Sequence, residues 1–175
     1  MGAVATGDSS LAVGTVAEAQ GEFANAIGTA ALAQKTGSNA FGLGSIAAGE
    51  YSNAIGTSAA SGEKSSAMGY MNQSLGANAV AIGTKNTSGS NKTTNTVAMG
   101  VENKATGDLS VAIGSNNQTT GKYALAYGKG NIAGAESAAT FGTNNKVPYG
   151  SYRSVAIGSD NTINSKNTYV LGSRV

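Results

Sequence analysis

The 175-residue chain has no cysteine, no histidine, no tryptophan and only one proline. Without cysteine there are no disulfide staples and no thiolate metal sites. Without histidine the commonest general base and metal ligand is missing. Charged residues make up 11%, against roughly 25% in an ordinary soluble domain. The apolar runs fall far short of the roughly 20 residues of a membrane-spanning helix, and no secretory leader is visible. What the chain has in quantity is glycine, 26 residues beside that single proline, a ratio that fits neither collagen nor a proline-rich linker.

Net charge is +2, unevenly placed. Residues 1–84 hold two Lys and five acids, whereas residues 85–175 hold nine Lys or Arg and four acids. The imbalance is either family drift or a weakly basic contact surface in the C-terminal half. No Lys/Arg cluster is interleaved with aromatics, so nucleic acid is not an expected partner.

The glycines mark a repeat. The pattern small, variable, small, large apolar, Gly ends at Gly14, Gly28, Gly42, Gly56, Gly69, Gly83, Gly100, Gly114, Gly128, Gly142, Gly158 and Gly172. Most steps are 14 residues; the others are 13 (to Gly69), 17 (to Gly100) and 16 (to Gly158). A fixed period of this kind is the signature of a solenoid. Each coil is expected to be strand, turn, strand, turn. Twelve coils at roughly 4.8 Å per parallel step make a rod on the order of 55–60 Å long. The whole of residues 1–175 is expected to be one such unit.

With the glycine of each copy counted as zero, position −1 is large and apolar throughout, as at Ile27, Ile55, Ile82, Ile113 and Ile157. Position −2 is Ala in ten copies, among them Ala12, Ala26, Ala54, Ala81, Ala112 and Ala156, with Thr140 and Val170 as the exceptions. Strand side chains alternate faces, so one face is bulky and apolar and the other small and uncharged. A strand with no polar face is buried on both sides. One side is the interior of the coil, and the other needs a cover that one thin solenoid lacks. Self-association is therefore expected. The residues leave open which face is which; the preferred assignment puts Ile82 inward, with small residues at +3 and +5 packed opposite it and +4 facing water. Ala81→Asp is then expected to block assembly.

The +3 column turns to asparagine after Ala17, Ala31, Ser45 and Ala59, through Asn72, Asn103, Asn117, Asn131 and Asn161, which predicts a stacked hydrogen-bonded ladder. A second glycine stands seven residues before the first in seven copies, where positive φ or a close approach is expected. Position −6 holds Asp8, Glu22, Glu50, Glu63, Asp108 and Glu136, six of the nine acids. Stacked like charges repel, so these are expected to splay into solvent or pair with lysines rather than hold a cation.

Two coils carry insertions, expected in loops and available for binding. The first lies within Lys85–Asn95 and includes Lys85 and Lys92. The second lies within Thr143–Arg153 and includes Lys146, Pro148, Tyr149, Tyr152 and Arg153, residue types that favour hot spots. These seven residues are the candidate partner-binding set, with the last three at its centre.

Small-Val-Ala-Ile-Gly at a 14-residue step, clearest in Ser10–Gly14, Ala79–Gly83, Ser110–Gly114 and Ser154–Gly158, resembles the YadA-like head repeat of trimeric autotransporter adhesins. The resemblance spans essentially the whole chain. It implies an all-β, left-handed parallel β-roll, three of which pack about a threefold axis as a homotrimer. It also implies a head displayed at the bacterial surface that binds a host cell-surface receptor or matrix protein. Neck, stalk and outer-membrane anchor would lie elsewhere in a longer protein, leaving this piece soluble. Met1-Gly2, running straight into repeat sequence, fits such an excised piece. No cofactor, metal, catalytic residue or small-molecule substrate is implied.

Other classes fit less well. Gly42–Ala47 and Gly128–Ala133 spell a dinucleotide fingerprint, but no crossover helix is expected after either. A hexapeptide-repeat transferase would have 18-residue coils and a histidine, and a lyase would have converging acids. Ice binding would need a regular Thr-x-Thr face. A trimeric phage or prophage fibre is the remaining structural rival. Sequons at Asn72, Asn86, Asn91 and Asn117 are expected by chance in so Asn/Ser/Thr-rich a chain.

Overall fold

A computed structural model describes residues 2–175; Met1, and with it half of the Met1-Gly2 junction, lies outside the described residues. The chain winds as an all-β parallel solenoid of about twelve coils, with no helix among the described residues. The first strand of each coil carries the repeat and hydrogen-bonds its counterpart one coil on. Val80, Ala81, Ile82 and Gly83 face Ser66, Ala67, Met68 and Gly69 on one side, and Val97, Ala98, Met99 and Gly100 on the other. The second strand, such as Lys104–Ala105 or Gln118–Thr119, stacks in a parallel ladder of its own. The insertions do not break this register, because Val80 to Thr84 still pair in order with Val97 to Val101 across the 17-residue step.

The roll interior is lined by the small side chains, and this reverses the preferred assignment of faces. Ala26, Ala54, Ala81, Ala112 and Ala156 are fully buried, and so are Ala79 and Ser110 at −4. From the second strand, +3 and +5 also point inward, as at Ala17, Ala19, Ala31 and Ala33. Ile27, Ile82 and Ile113 instead lie half-buried on the outer face of the first strand, with Ile55 and Ile157 there about 40% exposed. The +3 and +5 residues therefore pack against other small residues, not against the bulky column. The reason is width. Across the lumen the Thr119 hydroxyl donates to Ser110 Oγ at 3.1 Å and the Ser74 hydroxyl to the Ala79 carbonyl at 2.7 Å. Side chains of two or three atoms from facing walls already meet in these coils, so they hold no bulky column; the larger inward residues, Val147 and Ile163, are confined to position +5 of the last two coils. The +4 residues Glu18, Ile46, Gln73 and Lys104 point outward, as expected.

A second correction concerns the 13-residue step. Register slips at Thr57/Ala59, so Ser58 and Ala60 take the buried places expected of Ala59 and Ser61. Strand side chains alternate, so losing one residue moves the inward set by one.

The asparagine ladder forms, and it is longer than the regular coils alone predict. It runs through Asn72, Asn86, Asn103, Asn117, Asn131, Asn145 and Asn161, all buried. Asn117 shows the unit. Its Nδ2 donates to Asn103 Oδ1 at 3.0 Å, to the Ile113 carbonyl at 3.0 Å and to the Gly128 carbonyl of the next coil at 2.7 Å. Its Oδ1 accepts from the Asn131 backbone N–H at 3.0 Å and from Asn131 Nδ2 at 3.1 Å. Where the column holds alanine the turn is wired differently: the Ala31 N–H donates to the Gly28 carbonyl at 3.3 Å. The first strand then has three residues, as in Asn25–Ile27, rather than the five of Val111–Ser115. No buried side-chain nitrogen or oxygen is left without a partner among the described residues. The sequons at Asn72, Asn86 and Asn117 thus fall inside the roll, while Asn91 is exposed.

Asn117→Ala is expected to destabilise the roll by about 1–3 kcal/mol, the cost of leaving the buried Asn131 N–H without its acceptor. Chemical denaturation of the variant beside the parent chain measures the difference.

Each coil turns twice through left-handed backbone. One site is position −5, as at Phe23, Tyr51, Tyr123 and Arg153, and the other is position +2, as at Lys85, Glu102 and Asn116, with φ between 53° and 58° at these residues. The glycines at −7 have ordinary φ. What they meet is crowding: a Cβ on Gly107 would overlap the Gly121 carbonyl oxygen of the next coil.

Candidate functional site

Both insertions emerge at the same turn, the one that follows the second strand, so they share one edge of the solenoid. Four coils separate them, roughly 19 Å along the axis at the parallel spacing. The first insertion is polar. The Ser90 N–H donates to Thr93 Oγ1 at 2.7 Å, and Lys92 is exposed beside it. Its far end is tied down by Asp108, whose Oδ1 accepts from the Thr94 N–H at 2.8 Å and the Thr94 hydroxyl at 2.9 Å. These two hydrogen bonds, the backbone one first, hold the Asp108 carboxyl below its ordinary value of 3.8. Lys85 stands on the opposite edge, in the turn that follows the first strand, with Nζ 3.7 Å from Glu102.

The second insertion builds a projection. Val147 is buried and anchors it, Pro148 is half-buried, and the Ser151 N–H donates to the Pro148 carbonyl at 3.1 Å. Between them Tyr149 stands 83% exposed. Its ring meets Tyr152 edge to face, with centroids 5.9 Å apart and planes at 80°. The neighbouring Tyr149 hydroxyl, then partial burial, raises the Tyr152 phenol above its ordinary 10.0. Arg153 follows in the left-handed turn with its side chain exposed. Lys146 is exposed on the short strand that leads into the projection.

The solenoid stacks residues of three neighbouring coils onto these tyrosines. Tyr152 occupies position −6, the place of the acids elsewhere, and so do Lys122, Glu136 and Lys166. Backbone bonds hold the stack in register: Ser137 N–H to the Lys122 carbonyl at 2.8 Å, Arg153 N–H to that of Glu136 at 3.1 Å, and Asn167 N–H to that of Tyr152 at 3.0 Å. Lys166 Nζ lies 5.4 Å from the Tyr152 ring centroid, and Lys122 Nζ lies 4.9 Å from that of Tyr123. Two shallow grooves of about 290 Å³ flank Tyr152. One is lined by Glu136, Tyr152, Arg153, Lys166 and Asn167. The other is lined by Thr120, Gly121, Lys122, Gly134, Glu136, Tyr149 and Tyr152.

Of the seven candidate residues, the structure gathers Tyr149, Tyr152 and Arg153 with Pro148 and Lys146 nearby, and places Lys92 and Lys85 elsewhere. Glu136, Lys122 and Lys166 were missed as a group. Their signal was present in the column arithmetic, since all share position −6 with Tyr152. Of the acids in that column only Glu63 makes an ion pair among the described residues, with its exposed neighbour Lys64 at 2.7 Å. No three His, Cys, Asp or Glu side chains converge on a metal-sized site among the described residues.

A family model described as YadA head domain repeat (2 copies) aligns with residues 5–31, 60–86, 94–117 and 105–131, about half of the chain. No curated protein matches.

Proposed function

The chain belongs to the YadA head domain repeat family, and on that footing we propose that it is the head of a homotrimeric adhesin displayed at the bacterial cell surface. Its act is binding a host receptor or matrix protein, without catalysis. Trimer formation is supported by the bulky column on the outer face. Val13, Ile27, Phe41, Ile55, Met68, Ile82 and Met99 make a continuous apolar stripe down one side of a single roll, with Val13 still 49% exposed. A contiguous stripe of this length on one protomer marks an interface.

The observation that carries the binding role is the second insertion. Of the two insertions that interrupt the period, it is the one that projects two tyrosines and an arginine, side chains enriched in interaction hot spots. Replacing Tyr149, Tyr152 and Arg153 together by Ala should lower attachment of the trimeric head to host cells by about tenfold or more, since two hot-spot side chains at roughly 1–2 kcal/mol each reach that factor. Undiminished attachment by an intact trimer would overturn the assignment.

A further inference from the structure

We propose that the paired grooves around Tyr152 form a binding site for an anionic sugar, a pyranose that bears a carboxylate or a sulfate. The proposal rests on the receptor-binding role above and names the chemistry of its ligand. Three observations lead to it.

The first is shape. Each groove holds about 290 Å³ and is open to solvent, which is the lower limit for a small-molecule cleft. That suits a sugar ring, which lies in a shallow, solvent-open groove.

The second is the wall. Tyr149 and Tyr152 stand edge to face, so each offers a ring surface in a different plane. The C–H face of a pyranose packs against such a ring as any apolar surface does, while its hydroxyls stay free for polar partners. Tyr152 lines both grooves, which places two rings of one oligosaccharide on either side of it.

The third is charge. Three cations, Lys122, Arg153 and Lys166, surround one carboxylate, Glu136. Glu136 accepts from neutral sugar hydroxyls, and the excess of positive charge selects an acidic ring. Arg153 supplies the planar fork that pairs a carboxylate or sulfate through two N–H donors. Lys122 and Lys166 lie over tyrosine rings, which restrains them before the ligand arrives. The −6 column holds Asp8, Glu22, Glu50 and Glu63 in the N-terminal coils and Lys122 and Lys166 here, so with Arg153 three of the nine basic residues of the C-terminal half gather at this place.

The experiment uses the 175-residue head as it assembles, with sialyllactose, a heparin-derived tetrasaccharide and neutral lactose as probes in calorimetry. Sialyllactose or the tetrasaccharide should bind at least about tenfold more tightly than lactose, one decade being the yield of a single charge-assisted contact. Which of the two binds identifies the carboxylate or the sulfate as the anion. Tyr149→Ala and Arg153→Gln alter exposed side chains and leave the fold intact, as circular dichroism checks. Each should weaken the acidic probe about fivefold or more, and Arg153→Gln should also flatten its salt dependence. No binding of either acidic probe at millimolar concentration, equal binding of lactose, or affinity unchanged in both variants overturns the assignment. If the variants lose cell attachment but the parent binds no acidic sugar, the receptor role stands and the sugar assignment fails. If the parent binds the sugar and both variants attach to cells undiminished, the receptor role fails and the sugar site stands.

Discussion

Gly114→Ala should open the solenoid at its middle. Gly114 has φ +120°, a backbone region closed to residues with a Cβ, and an alanine Cβ there would overlap the Gly128 carbonyl oxygen. Both penalties fall on backbone atoms of adjacent coils, so no side-chain rotation relieves them. Left-handed strain alone costs about 1–3 kcal/mol. With the overlap added, the total is expected above about 4 kcal/mol, in the range reserved for severe substitutions. Each coil touches only its neighbours, so the damage should be local at first. Hydrogen exchange should show lost protection between Gly100 and Gly128, with the two ends of the rod still protected. Gly44→Ala is the matched control. Gly44 also has positive φ, +62°, but an added Cβ would meet nothing within 4 Å, so the cost should stay near 1 kcal/mol. Equal stability of the two variants would remove the close approach from the account.

Adjacent residues of one strand should fail in opposite ways when given a charge. Ala81 is fully buried in the roll interior, between Ala67 and Ala98 on the neighbouring coils. Ala81→Asp puts a carboxylate where no cation and no water can reach it, a penalty of several kcal/mol, and adds volume to a lumen without room. The expected product is an unfolded or aggregated chain, not the folded, unassembled one that an interface position would give. Ile82 lies on the outer face. Ile82→Asp should leave the roll intact and expel the partner, so light scattering should report a folded monomer where the parent is expected to be the proposed trimer. If Ile82→Asp stays fully trimeric, or Ala81→Asp yields a folded monomer, the assignment of faces is wrong.

Much of this architecture is legible in the residues, because a solenoid repeats its local physics every 14 residues and each column averages over a dozen copies. The period, the inward +3 and +5 positions, the water-facing +4 column and the asparagine ladder all follow from reading columns. The candidate site is legible only in part. Tyr149, Tyr152 and Arg153 draw attention because their loop breaks the period. Lys122, Glu136 and Lys166 do not, since each is an ordinary exposed residue until three coils are stacked. Asn86 and Asn145 were passed over for a similar reason: each lies in a coil with an insertion, though ahead of it, where the register is still intact.

The sequence by itself determined the coil length, the alternation of a bulky and a small column, the glycines on which coils stack and the two coils that carry insertions. Alternation settles which residues share a face, but it carries no information on which face turns inward. Only the tertiary structure decided that. The distance between the two walls of a regular coil suits alanine, serine, threonine and asparagine, with Val147 and Ile163 admitted only in the last two coils, so Ala81 goes in and Ile82 goes out. The same closeness lets asparagine side chains replace backbone bonds in the turn, and it brings Lys122, Glu136, Tyr152 and Lys166 into one stack.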